Sequence, residues 1–205
     1  MKTMLIAIGL ALLIATAAQA EPTQWTDHRV PIPAGKTLEL GANGNLTFGV
    51  KNLKRVTVFK TTCASHAFAS FRNENEHGVG EVQTISFSGC TDTLAVCAGS
   101  GVIVQQQPTF AWPTILEASP EAFHDEWRNV SVDIRCGAGT DYGVFTGTLT
   151  PKVGDFDDLE APHDEVDDRM VLRFGSLRDP VSGYGASVNG SLLIEGRRIS
   201  VLRFP

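Results

Sequence analysis

The residues able to do chemistry are four cysteines, five histidines and one dense run of carboxylates. Cys63, Cys90, Cys97 and Cys136 are separated by 27, 7 and 39 residues. Zinc knuckles need two close cysteine pairs, and no Cys-x-x-Cys redox motif is present, so the four cysteines predict two structural disulfides. Four cysteines allow three connectivities. If Asn75–Gly78 turns a hairpin, the numbers of opposed residues add to about 153, as do those of Cys63 and Cys90. That favours Cys63–Cys90 with Cys97–Cys136. The rival pairs Cys90 with Cys97 across the Thr91–Val96 turn and Cys63 with Cys136.

His28, His66, His77, His124 and His163 show no metal-ligand spacing, and no nucleophile is marked beside any of them. Ser100 sits in Ala-Gly-Ser-Gly-Val, one residue short of a nucleophile elbow. Eight carboxylates crowd Asp155–Asp168. Counted from Asp155, the sixth position of a calcium loop is Glu160 where glycine is needed, and the twelfth is Val166 where glutamate is needed. The run therefore reads as an exposed acidic loop. Phe110 and Trp112 share one face of an extended run; exposed, they would stack on a sugar or grip a protein, but such aromatics more often fill a core. No catalytic, cofactor or metal-binding residue is assigned.

The elements that must hold these residues are short and β-patterned. Val130, Val132, Ile134 and Cys136 alternate with Ser131, Asp133 and Arg135, which turns Cys136 inward. Similar runs recur from Thr37 to Phe204, Leu94–Cys97 among them, with Gly, Asn or Asp between. Asn189-Gly190 predicts a tight turn in the C-terminal meander. Ser119-Pro120, followed by Phe123 and Trp127 four residues apart, predicts one short helix over Pro120–Arg128. The fold class is all-β, an antiparallel β-sandwich or barrel with one short helix, stapled by disulfides.

Residues 1–20 read as a signal peptide, with Lys2, an apolar Met4–Ile14 and the small-x-small site Ala18-Gln19-Ala20. Residues 21–36 form a proline-punctuated, extended lead, and 37–205 one β domain with the acidic loop 155–168. The expected location is secreted or periplasmic. The chain holds 17 basic and 23 acidic residues for a net charge of −6, without a basic cluster, which disfavours nucleic acid. No other long apolar run exists, so the expectation is a monomer that does not span a membrane.

The cadence Thr62-Cys63, Ile85-Ser86-Phe87-Ser88-Gly89-Cys90 and Phe110-Ala111-Trp112-Pro113, followed by glycine-rich short strands, resembles uncharacterised bacterial secreted all-β proteins over roughly residues 56–150. Pro113 departs from that cadence, where a polar strand residue is usual. The resemblance implies export and β architecture and no activity. The reading is an exported, non-enzymatic β-domain that binds a protein or glycan partner or serves a structural role. The alternatives are a secreted hydrolase with a carboxylate/histidine site and a secreted enzyme inhibitor.

Overall fold

Alternation builds the walls of the fold. From Phe59 to Phe71, Phe59, Thr61, Cys63, Ser65, Ala67, Ala69 and Phe71 are buried, while Lys60, Ala64, His66 and Phe68 face out. The computed structural model describes residues 23–28, 30–97, 100–107, 111–118, 123–137, 139–154, 169–196 and 199–203. Its strands are β1 (Thr23–Asp27), β2 (Val30–Pro31), β3 (Leu38–Lys51), β4 (Thr57–Glu74), β5 (His77–Asp92), β6 (Val102–Gln106), β7 (Trp112–Ala118), β8 (Phe123–Cys136), β9 (Asp141–Leu149), β10 (Lys152–Val153), β11 (Arg169–Arg178), β12 (Gly185–Ile194) and β13 (Ile199–Arg203).

Eight of them close an antiparallel barrel in the order β3-β4-β5-β7-β8-β9-β11-β12 and back to β3. β10 continues β9 and bridges β8 to β11, and β6 pairs with β8 beyond the end of β7. The interior is packed with side chains. Phe48, Phe59, Trp127 and Phe145 are fully buried, each contributing roughly 1.5–3 kcal/mol of hydrophobic stabilisation. Glu39, Lys51, Lys60 and His66 lie outside, the reverse of a barrel that faces lipid. Among the described residues no helix is long and apolar enough to cross a membrane.

A small sheet of β13, β1 and β2 covers one end. Trp25 fills it, fully buried and edge-on to Phe71 with ring centroids 4.8 Å apart. Asn73 clamps the sheet to β4. Its Oδ1 accepts from the Trp25 N–H at 2.8 Å, and its Nδ2 donates to the Trp25 and Ile32 carbonyls at 2.9 Å each. The sequence's extended lead thus contains a strand that pairs with β13 near the other end of the chain.

The cysteines pair as Cys63–Cys90 and Cys97–Cys136, by a route that differs from the arithmetic. The β4–β5 turn is Asn75-Glu76, both with positive φ, as a two-residue hairpin loop demands. Opposed residues there, such as Glu74 and His77, add to 151. One bulge near Gln83 and another beside Cys63 each add one, so that Thr61 meets Asp92 at 153.

The short helix is corrected. Residues 119–122 lie outside the described residues, and Phe123–Arg128 begin β8. A spacing of four satisfies the strand period of two as well as a helical turn, and pairing with both β7 and β10 decides for the strand. Leu94–Cys97 is a turn region, with Asp92 capping the Leu94 and Cys97 N–H groups. Asn189-Gly190 lies inside β12, where Gly190 passes so close to β3 that an added Cβ would sit 2.0 Å from the Asn45 carbonyl oxygen. The tight turn is formed instead at Asp179–Tyr184.

Candidate functional site

The barrel wall has a seam. β5 pairs with β4 along its whole length, but its other edge pairs with β7 only over Val79–Val82, ending at Trp112. β6 runs in line with β7 along β8, yet no ladder joins it to β5. The two edges run close together without pairing, and over them lies an open groove of about 690 Å³. Ile85, Phe87, Ile103 and Val104 give it apolar surface, and Gln83, Thr84, Ser86, Gln105 and Gln106 give it neutral polar groups. None of the described lining residues is charged.

Unpaired strand edges are unfavourable unless something satisfies their backbone groups. Here Gln106 Oε1 accepts from the Ile85 N–H at 2.8 Å, so a side-chain amide stands where a strand's carbonyl would be. The banks are fixed from behind. Cys63–Cys90 ties β5 to β4, and Cys97–Cys136 ties the approach to β6 to the end of β8. The Gln105 amide donates to Asp133 Oδ2 at 3.0 Å, a second hold on β6. Phe87 packs edge-on against Phe48 with ring centroids 5.3 Å apart, so it forms floor and does not stand free as a stacking platform. Trp112 is 2% exposed and belongs to the core; Phe110 lies outside the described residues.

A second polar feature is internal. Asp125 is fully buried on β8, and its Oδ2 accepts from the Trp127 indole N–H at 2.7 Å. Among the described residues, its Oδ1 and the Thr114 hydroxyl have no hydrogen-bond partner. An interior void of about 10 Å³, room for about one water, lies beside it among Leu40, Ala42, Phe71, Met170 and Leu192. Burial pushes the carboxyl up to about 7, against the opposing pull of the Trp127 indole and of the Thr114 hydroxyl, near but outside hydrogen-bonding geometry.

The described histidines, His28, His66, His77 and His124, are not drawn into a cleft. His66 Nδ1 bonds Asn43 Oδ1, and Asn43 Nδ2 donates to Glu195 Oε1, a chain lying on the outer wall. Ser86 faces it across β5, but its hydroxyl donates to the His66 carbonyl oxygen, leaving no activated nucleophile. His124 lies between Glu117 and Lys152; burial first and then Lys152 lower its pKa, and Glu117 opposes them. His28 bonds Asp27 at the surface. His77 opposes Glu74 beside the β4–β5 turn. Ser100 donates to the Cys97 carbonyl. His163 and the acidic run 155–168 lie outside the described residues, as do residues 1–20, which the sequence reads as a signal peptide. Among the described residues no group of three or more His, Cys, Asp or Glu is placed to hold a metal ion.

The seam was invisible to sequence reasoning, although Val102-Ile-Val-Gln-Gln, an uncharged strand followed at Pro108 by a break, was its only local trace. Compared with protein-family models, curated proteins and solved structures, the chain matches none. The class defined here is an all-β, disulfide-stapled barrel with a capped end and an interrupted wall.

Proposed function

We propose that the protein is an exported, non-enzymatic binding module that captures an extended, uncharged polypeptide segment of a partner protein in the seam between β5 and β6. The observation that carries this reading is the Gln106 amide on the Ile85 N–H. A backbone donor on β5 is held by a replaceable side chain, and strand addition would exchange that bond for one to a guest carbonyl while parting the two close edges. The neutral groove favours backbone hydrogen bonds with apolar contacts over ion pairing. Alternate residues of the guest would then face the barrel beside Ile85 and Val104. Two disulfides suit an oxidising compartment, in keeping with export. The hydrolase alternative has less behind it, because His66 and His124 sit on the wall without a nucleophile in a cleft.

The reading is tested by selecting a displayed random dodecapeptide library on the mature protein, with counter-selection on Ile103→Lys. Ile103 is 36% exposed, so the variant places a charge in the groove without emptying the core. Enriched peptides are expected to alternate apolar and neutral residues and to lose binding to Ile103→Lys. Gln106→Ala should bind them up to about fivefold more tightly, because a competing internal hydrogen bond of about 1 kcal/mol is gone. Peptides that bind all three proteins equally would overturn it.

A further inference from the structure

On the far side of the barrel, four strands round the wall from β5, an aromatic side chain stands out from the surface. Phe174 is 85% exposed, although its neighbours Leu172 and Leu177 are buried in the core. The cause is a bulge. Pairing of β11 with β12 slips between Leu172 and Gly175, and Phe174 adopts φ +58 within the slip. The left-handed region is unfavourable for a bulky L-residue and is kept only where the surroundings enforce it. Here Asn189 Oδ1 accepts from the Phe174 N–H at 2.8 Å and holds the ring outward.

The same strand carries Arg169, Arg173 and Arg178, all exposed, and Lys152 pairs beside it at Val171. The only carboxylate that β9, β10, β11 and β12 present at the surface is Asp141, at the start of β9. A chain of net charge −6 thus bears a basic stripe roughly 30 Å long at ~3.3 Å per residue, with one aromatic ring in its middle. Hydroxyls and an amide surround the ring and the stripe: Ser176 opposite Ser187, Thr146 opposite Arg178, and Asn189.

We infer that the β11 face binds an acidic polysaccharide, lying lengthwise along the strand with a sugar ring on Phe174. A linear polyanion matches cations spread along one extended strand. The barrel wall is convex, so a compact acidic protein would need a matching concavity, whereas a chain polymer only has to lie across it. The apolar face of a sugar ring covers the Phe174 ring, while amides and hydroxyls meet its hydroxyl groups. The inference is independent of the seam and uses none of its residues.

The experiment uses the mature protein and alginate, a linear polyuronate, with binding followed by calorimetry at low salt and at 0.3 M salt. Two variants are compared with wild type. Phe174→Gly suits the positive φ and so keeps the fold, and Arg169→Gln/Arg178→Gln removes two surface charges. Binding that weakens with salt, and that falls about tenfold or more in each variant, is the expected result. Three outcomes would overturn the inference. They are no alginate binding at low salt, alginate binding that neither variant changes, and poly-L-glutamate or vesicles containing phosphatidylglycerol binding as tightly as alginate with the same dependence on Phe174.

Discussion

Replacing Asp125 with asparagine should make the barrel more stable at neutral and alkaline pH and change little in acid. The carboxyl is fully buried, with one oxygen on the Trp127 indole and the other, beside an apolar void, without a partner among the described residues. Burial raises its pKa from 3.8 to about 7. Because the folded state holds this proton more tightly than the unfolded chain, protonation favours folding. That contribution is complete below pH 3.8 and is lost as pH climbs through about 7. The gap between those two values corresponds to about 4 kcal/mol, an upper figure because the interior can relax around the charge. The introduced amide would keep an oxygen for the Trp127 indole, add a donor toward the Thr114 hydroxyl, and never ionise. Urea unfolding followed by tryptophan fluorescence from pH 4 to 9 provides the assay. Wild-type stability should fall by up to about 1.4 kcal/mol per pH unit between pH 4 and 7 relative to the variant, with the curves parallel above pH 8. Parallel curves over the whole range would refute the reasoning, since they would mean that the carboxyl titrates as it does in water.

Asp179 has the opposite dependence: burial alone would raise its pKa, but hydrogen bonds from the Ser182 hydroxyl and the Val181 and Ser182 N–H groups lower it. Asp179→Ala should cost about 2–3 kcal/mol near neutral pH, a loss that shrinks as pH falls below about 4, measured by thermal unfolding across pH. Asn73→Ala should loosen the terminal sheet from the barrel at a cost of about 2–4 kcal/mol, and exposure of Trp25 should shift its fluorescence to the red. Removing Cys97–Cys136 by paired serine substitution should cost about 4 kcal/mol for its 39-residue separation and should speed amide exchange in β6 more than in β3. Phe174→Gly should leave the melting temperature unchanged or raise it, because glycine accepts the left-handed conformation without penalty.

Legibility followed the range of the interactions. The β class and the inward face of Cys136 were readable because strand alternation is written in adjacent residues. The disulfide pairing was reached through a hairpin sum, yet the pairing depends on two bulges that no local pattern announces. Phe123 and Trp127 misled because four residues fit both periods, and Asp125 between them hid the inward face by being a buried carboxylate. Phe174 sits at an inward position by alternation from Met170 and Leu172, and only a one-residue slip sends it outside. The seam was the least legible feature, since it exists only where β6 aligns with β7 yet fails to pair with β5.

The most direct measurement of the strand-capture proposal is residue-resolved amide hydrogen exchange on the mature protein, with and without a saturating peptide from the display selection. The Ile85 N–H, held in the free protein by the Gln106 side chain alone, should exchange faster than amides in the β3–β4 ladder, and the peptide should slow it at least about tenfold together with neighbouring amides of β5 or β6. An Ile85 amide that is unmoved by bound peptide, with protection gained elsewhere on the barrel, would contradict the account.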